Sequence, residues 1–394
     1  MDNNHDLRVA WLVPSVELGA YWQPVLAEFT QVFKQTIFYT GLVWPGFDSS
    51  IPGADIIQIV GEMKSLEVTK TQGYSRRLML VSPGIIGELI KFKPDVIFAQ
   101  AYSLWTLLAL LLKPWGKWRF IIIYDGSSPN SDFRDSQLRS WFRQIMSRYA
   151  DAFVANSYGA RDYLIEGVGA KPESVFTRTY LVPDAKTLQQ SFENNQSVNL
   201  SEKRPIFLYV GRITPRKGLN VLLEACAILQ SQGYEDYSLL IIGTGEQQAE
   251  LEIFIKDHNL EPQIKWIGWV EYGNLGAYFQ QADVFVFPTF EDIWGMVALE
   301  AMVFGKAVIC SKWAGASEMV IDGRNGYIFD PYNPEELASV MCRFIEQPEL
   351  INVMGNQSQQ HIEQTNPAVA AQSFVEVISF VLKQDKIREI KIKS

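Results

Sequence analysis

Short apolar runs alternate with stretches of helical periodicity along most of the chain, the pattern of parallel α/β sheets. In the front half, strand-like runs fall at residues 9–14, 55–60, 96–100, 120–124 and 152–155, and amphipathic stretches such as 24–35 and 137–149 lie between them. Residues 187–203 (TLQQSFENNQSVNLSEK) are polar and aperiodic and read as a linker. A second series begins at Pro205. Its strands are expected at 206–210, 238–242, 264–267, 283–287 and 307–310, with helices at 220–232, 246–259, 273–281 and 296–304. The pattern predicts two Rossmann-like domains, over 1–186 and 204–365, and a closing helix and tail over 366–394 that packs back toward the first. Ligands of such sheets bind at the strand C-termini, here in a central cleft between the halves.

Composition narrows the class. The chain has 394 residues, 47% hydrophobic and 20% charged, with a net charge of -9. That supplies ample core, and it lacks the basic footprint of a general nucleic-acid binder. The charge is uneven: residues 1–185 carry 18 Lys+Arg against 18 Asp+Glu, and residues 186–394 carry 17 against 26. Cys226, Cys310 and Cys342, with His5, His258 and His361, have no metal-ligand spacing, so no metal site is expected. This cysteine usage fits a reducing, cytoplasmic compartment. The polar, acidic start is unlike a secretory leader, and the longest apolar run, within 101–112, is shorter than the ~20 residues of a membrane span.

The chemistry concentrates in the second half. Val210 to Gly218 (VGRITPRKG) joins a strand to a helix without the Gly-Lys-Ser/Thr ending of an ATPase phosphate loop. It offers instead two cations, Arg212 and Lys217, suited to charge-assisted hydrogen bonds to a diphosphate, each worth about 1.5–3 kcal/mol. The alternative is a solvated turn shaped by its glycines. Ile241 to Glu246 (IIGTGE) is a second such junction, where Gly243 and Gly245 would let a ligand approach the backbone. In Val286 to Met302 (VFPTFEDIWGMVALEAM) a buried strand meets a loop holding Glu291 and Asp292, and a helix opens near Gly295. The first N–H groups of that helix, from Gly295, Met296 and Val297, have no intrahelical partner and suit phosphate oxygens. Glu300 lies one turn further on the same face as Met296, placed to accept from ribose hydroxyls. Its apolar neighbours mean that its carboxylate needs a partner; a surface helix residue is the alternative. Asp292, ahead of the helix, is placed to accept from the hydroxyls of a sugar.

Together these residues carry a resemblance. Residues 205–329 resemble the donor domain of the family 4 retaining glycosyltransferases, enzymes of two-domain GT-B architecture. The matching pieces are Gly211-Arg212…Lys217-Gly218, Gly243-x-Gly245, Trp266-Ile-Gly268-x-Val270, the carboxylates before and on the Gly295 helix, and Gly315-x-x-Glu318…Asp322-Gly323…Gly326. Ala152-Phe-Val-Ala-Asn-Ser157 fits at the end of the first domain. The resemblance implies an α/β GT-B fold and transfer of a hexosyl-type sugar, with retention, from a nucleoside diphosphate sugar to a hydroxyl of a glycan or lipid-linked acceptor. It implies that Arg212 and Lys217 hold the diphosphate, that Glu300 holds the ribose, and that Ile267 and Gly268 flank the nucleobase. Gly19, in the loop after the first strand, would face the phosphates across the cleft.

The family's carboxylate pair is usually two glutamates with seven residues between; here Asp292, not Glu291, has that spacing to Glu300. The family's frequent histidine after a front-domain strand is missing, and Asp125 or Tyr124 takes its place. No cofactor and no obligatory metal are expected, since the two cations can neutralise the diphosphate. Residues 101–112, followed by Lys113-Pro-Trp-Gly-Lys-Trp-Arg119, have the composition of an element touching the inner face of a membrane. The competing expectation is a buried crossover helix ended by Pro114-Trp115-Gly116. Two other readings share the architecture: a nucleotide-sugar epimerase, which should carry acid/base groups in the cleft, and a nucleotide-sugar-binding subunit without catalysis.

Overall fold

A computed structural model describes residues 6–15, 19–43, 47, 49–50, 52–71, 74–134, 136–186, 188–189 and 203–393, with backbone alone for residues 20, 65–71, 74–79 and 384–393. The chain divides into two compact units: Met1–Thr69, Arg76–Val182 and Pro367–Ser394 in one, Lys70–Ser75 and Pro183–Asn366 in the other.

The first unit runs β1 (Arg8–Leu12), α1 (Gly19–Val32), β2 (Gln35–Thr40), β3 (Ile57–Ile59), the two-stranded β4 (Lys64–Thr71) and β5 (Tyr74–Leu80), then α2 (Ile85–Phe92), β6 (Val96–Gln100) and α3 (Leu104–Gly116). β7 (Arg119–Tyr124), α4 (Gln137–Tyr149), β8 (Ala152–Ala155), α5 (Tyr158–Asp162) and β9 (Val175–Thr177) follow. Seven strands pair, all parallel, in the order β3-β2-β1-β6-β7-β8-β9. The central strands are continuous apolar runs because parallel strands are covered on both faces. Serines start the helices that follow: the hydroxyls of Ser103, Ser136 and Ser157 each accept a backbone N–H of the first turn of α3, α4 and α5.

The second unit repeats the plan with β10 (Ile206–Val210), α6 (Leu219–Ser231), β11 (Ser238–Ile242), α7 (Gln248–Asp257), β12 (Ile264–Gly268), α8 (Leu275–Gln281), β13 (Val284–Phe287), α9 (Met296–Val303), β14 (Ala307–Ser311) and β15 (Gly326–Phe329). α10 (Pro334–Glu346) and α11 (Glu349–Glu363) close it. Its parallel order, β12-β11-β10-β13-β14-β15, is the doubly wound arrangement, and the strand order reverses between β10 and β13.

α12 (Pro367–Lys393) belongs to the first unit and packs along α1. Phe374 enters an aromatic cluster in which Trp11 stacks on Phe98 at 4.3 Å between centroids. Phe374 lies 4.8 Å from Trp11, 5.3 Å from Phe98 and 5.4 Å from Tyr180.

Several boundaries differ from the sequence reading. The helix expected at 24–35 is α1, and Gln35 already opens β2; Pro24 sits inside α1. Gly19 is the first residue of α1, not a loop residue, while residues 16–18 lie outside those described. α3 passes through Pro114 and stops only at Lys117, whose left-handed backbone (φ 56°) returns its N–H to Lys113 O at 2.8 Å. Pro114 has no N–H to give the ladder, so α3 runs through its last turn one backbone donor short. Within the expected linker, Leu188 and Gln189 are helical and Leu188 is buried; residues 187 and 190–202 lie outside those described.

Replacing Phe374 with alanine empties the centre of the aromatic cluster. The variant is expected to cost about 3–5 kcal/mol of first-unit stability, with amide exchange rising first along the N-terminal half of α12. Unchanged exchange there would show that other contacts hold the helix.

Candidate functional site

The strand-order reversal of the second sheet brings together the loop after β10 (211–218) and the loop after β13 (288–295). Thr214 ends the first loop's descent, and Pro215–Lys217 form a 3-10 turn closed by Lys217 N–H to Thr214 O at 2.9 Å. Gly218 follows with φ +68°, and a Cβ on it would overlap the carbonyl oxygen of Pro288. The loops are further joined by Phe290 N–H to Arg216 O at 2.9 Å and by the Thr289 hydroxyl to the same oxygen at 3.0 Å.

This contact aims two cations across the junction. The Lys217 ammonium is ion-paired with the Asp292 carboxylate and lies 5.3 Å above the Phe287 ring. The Arg216 guanidinium donates to Glu291 O at 2.6 Å and stands 3.7 Å from Asp292 Oδ2. All three side chains are largely withdrawn from solvent, Lys217 at 16% and Asp292 at 14% exposure. Asp292 is fixed in turn: its Oδ1 accepts from Trp294 N–H at 3.2 Å, and its own N–H donates to Trp313 O at 3.3 Å. Its charge adds to burial in pushing the Cys310 thiol pKa well up. Of the cations the sequence singles out, Lys217 is here. The Arg212 side chain is exposed, and its backbone oxygen accepts from the Tyr209 hydroxyl at 2.9 Å. Sequence reasoning missed Arg216, although a second cation beside Lys217 in Pro-Arg-Lys was the available signal.

Gly295 (φ +99°) leads into α9, so the N–H groups of Met296 and Val297 open a helix at the same strand ends, where the helix dipole favours an anion. Glu300 is 3% exposed on α9, which excludes the surface alternative, and its Oε1 accepts from the Tyr272 hydroxyl at 3.0 Å. Tyr272, half-exposed on the turn before α8, was not anticipated.

The glycines after β10 and β11 let one loop's backbone approach the next. A Cβ on Gly243 (φ +133°) would overlap Gly211 O, and one on Gly245 would overlap Ile213 O. The partner approaching the backbone is the neighbouring loop, tied by Ile213 N–H to Thr244 O at 3.0 Å and Gly243 N–H to Gly268 O at 2.8 Å. Ile267 and Gly268 end β12 half-buried, and around Gly268 (φ +83°) there is open space.

In the first unit, Asp125 follows β7 with both oxygens engaged. Oδ1 accepts from the Tyr180 hydroxyl at 2.7 Å and Oδ2 from the Gln100 amide at 2.5 Å. Burial raises its pKa, and these two hydrogen bonds oppose that rise. Tyr180 is set by Asn156, whose Oδ1 accepts from the N–H groups of Tyr180 and Leu181 at 2.9 and 2.8 Å. Among the described residues no three His, Cys, Asp or Glu side chains converge to hold a metal ion.

Comparison with known proteins places these observations in a family. A family model described as glycosyl transferases group 1 matches residues 190–361, and one described as glycosyltransferase family 4 matches residues 46–177. The chain is 30% identical over 243 residues to a D-inositol 3-phosphate glycosyltransferase of Paenarthrobacter aurescens, covering 59% of each chain. It is 27% identical to an alpha-D-kanosaminyltransferase of Streptomyces kanamyceticus over 54% of this chain and 56% of the relative. These matches thus span little more than half the length of either curated relative. Among solved structures, Anabaena HepE in complex with UDP superposes with a TM-score of 0.74 at 18% identity, covering 95% of this chain and all of that one. Sucrose-phosphate synthase from Thermosynechococcus elongatus gives 0.69 at 18%, covering 96% and 100%. The two parallel sheets are those of the GT-B fold, and the chain belongs to the group 1, family 4 glycosyltransferases.

Proposed function

We propose that this chain transfers a hexosyl-type sugar from a nucleoside diphosphate sugar to an acceptor hydroxyl, with retention at the anomeric carbon. One observation carries the reading: Arg216 and Lys217 stand beside Asp292 at the strand-order reversal of the second sheet, where α9 opens and Glu300 is buried one turn further in. HepE, of the same fold, has been crystallised with UDP and with UDP-glucose, which supports a nucleotide sugar as donor.

The chemistry follows from charge. The bond from the anomeric carbon to the diphosphate breaks, a bond to the acceptor oxygen forms, and the acceptor's proton is released. Negative charge grows on the departing diphosphate, and Lys217, Arg216 and the first N–H groups of α9 are preorganised to receive it. Without a donor, Asp292 holds Lys217; on donor entry the diphosphate takes over the ammonium, and Asp292 turns to the sugar hydroxyls. Glu300, steadied by Tyr272, accepts from the ribose hydroxyls. Ile267 and Gly268 bound the nucleobase. Arg212 reaches the outer phosphate from its exposed position. From the first unit, Gly19 at the start of α1 serves the donor phosphates, and Asp125 after β7 serves the reacting sugar. The two cations neutralise the diphosphate, so no metal or further cofactor is required. The acceptor is a glycan or lipid-linked molecule, met in the cytoplasm or at the inner face of a membrane.

The reading is tested by thermal shift and transfer assays over UDP-, GDP- and ADP-sugars. A true donor at 100 times its Kd stabilises the second unit by about 2.7 kcal/mol; binding without turnover would favour the non-catalytic subunit instead. Lys217→Met is expected to lower turnover about 10²–10³-fold, the scale of losing one preorganised charge-stabilising donor. Asp292→Asn is expected to tighten nucleoside diphosphate binding while lowering transfer; weaker binding in that variant would remove Asp292 from beside the phosphates. Glu300→Gln should lose donor affinity by about ten- to a hundredfold, the range for a hydrogen bond to a charged group. Activity should persist in EDTA, and loss restored by a divalent ion would overturn the metal-free account.

A further inference from the structure

Helix α4 carries an apolar stripe that the described residues leave largely exposed. Leu138, Trp141, Phe142, Ile145 and Tyr149 recur at helical spacing, yet only Met146 and Ser147 of α4 are buried. Trp141 is 54% exposed, Phe142 44% and Leu138 66%. An amphipathic helix in a globular protein turns such a stripe inward; here it faces water. The surface continues onto α3, where Leu111 and Trp115 are exposed, and a groove of about 730 Å³ lies between the helices, floored by Leu107, Leu110 and Met146. The crossover-helix expectation for α3 therefore holds for one face only, that of Trp105, Ala109 and Leu110.

Charge selects the partner. Residues 96–124 and 136–150 contain no aspartate or glutamate. Asp151, just past the end of α4, is taken by Lys113 at 2.6 Å and Arg119 at 3.1 Å. Lys117, Arg139 and Arg148 remain exposed, and on a helix of 100° per residue Arg139 and Arg148 border the apolar stripe on its two sides. Tryptophan, phenylalanine and tyrosine between arginines, with no acid on either helix, is the composition of an element lying in the headgroup layer of an anionic bilayer. A protein partner would leave these cations needing acidic mates, whereas anionic headgroups supply them at every position.

We propose that the α3–α4 face of the first unit docks on an anionic phospholipid surface, with Trp141, Phe142 and Trp115 entering the headgroup layer and Lys117, Arg139 and Arg148 meeting phosphates. The inference rests on the proposed transfer reaction, to which it adds a membrane-borne acceptor. The test is flotation of the full chain with vesicles of phosphatidylcholine alone or mixed with phosphatidylglycerol, alongside the thermal response to UDP. The expected result is flotation with the anionic vesicles only, weakened by salt. Trp141→Ala with Phe142→Ala should abolish it, and Arg139→Gln with Arg148→Gln should weaken it roughly thirtyfold. The thermal midpoint and the UDP response of both variants should match the parent, showing intact folding. A missing UDP response in the parent would count against the donor reading and leave the flotation result standing. The docking proposal is overturned by absence of flotation, by equal flotation with neutral vesicles, or by variants that float like the parent. It is equally overturned by a dimer in light scattering that the Trp141 and Phe142 changes dissociate, or by tighter binding to a DNA duplex than to the anionic vesicles.

Discussion

At the C-terminal ends of the strands of the second sheet, backbone meets backbone with no room for a side chain between. Gly218 lies against the Pro288 carbonyl, Gly243 against Gly211 and Gly245 against Ile213. These approaches set the spacing of the loops after β10, β11 and β13, and everything chemical in the unit hangs from those loops. Because Gly218 touches Pro288, the turn before it directs Arg216 and Lys217 at Asp292. Because the loop after β13 is also pinned to the loop after β14, through the backbone of Asp292 with Trp313 and Gly315, the main chain that carries the carboxylate is held beside the one that carries the cations. The site is rigid through its main chain, with the charged side chains as the only parts left to rearrange.

The two units share a strand order and differ in what they place at its reversal. The second puts cations, a helix start and a buried glutamate there. The first places a network of hydroxyls and one carboxylate beyond its own reversal, at the ends of β6, β7 and β8, with Asp125 held between Tyr180 and Gln100 and Tyr180 held by Asn156. That network is joined to the core, since the Tyr180 ring packs on Trp22 and Phe374. The second unit thus gathers two cations about a carboxylate, and the first holds a carboxylate between neutral hydrogen-bond donors, on one doubly wound scaffold.

Much of the scaffold was legible in the sequence because parallel strands buried on both faces are uninterrupted apolar runs. Residues 96–100, 152–155, 206–210 and 238–242 are strands over those very bounds. β2 was not legible: only Lys34, Gln35 and Thr36 part Val32 and Phe33 from Ile37, so the end of the helix and the start of the strand merged into one amphipathic stretch. At the site, Lys217, Asp292 and Glu300 could be picked out by charge type and spacing. Arg216 could not be separated from Arg212, because which cation turns inward depends on a 3-10 turn that no periodicity encodes. The loop glycines were noticed for the right reason, a need for close approach, but a linear sequence does not say that the approaching group is the next loop. Tyr272 stands 28 residues from Glu300 in sequence, and it is the folded chain that brings its hydroxyl to the carboxylate.

The placement of α12 has a consequence for how this chain comes to be folded. The first unit is finished by residues that follow the whole of the second: Phe374 fills a space bounded by Trp11, Trp22 and Phe98, and α12 packs along α1. During translation the second unit, complete by Asn366, can close as soon as it clears the ribosome, since domains generally fold as units. The first unit must wait through that whole interval with an aromatic hollow open to water. The order of maturation is then the reverse of the order of synthesis, and a chain that stops short of α12 releases a closed second unit joined to an unfinished first one.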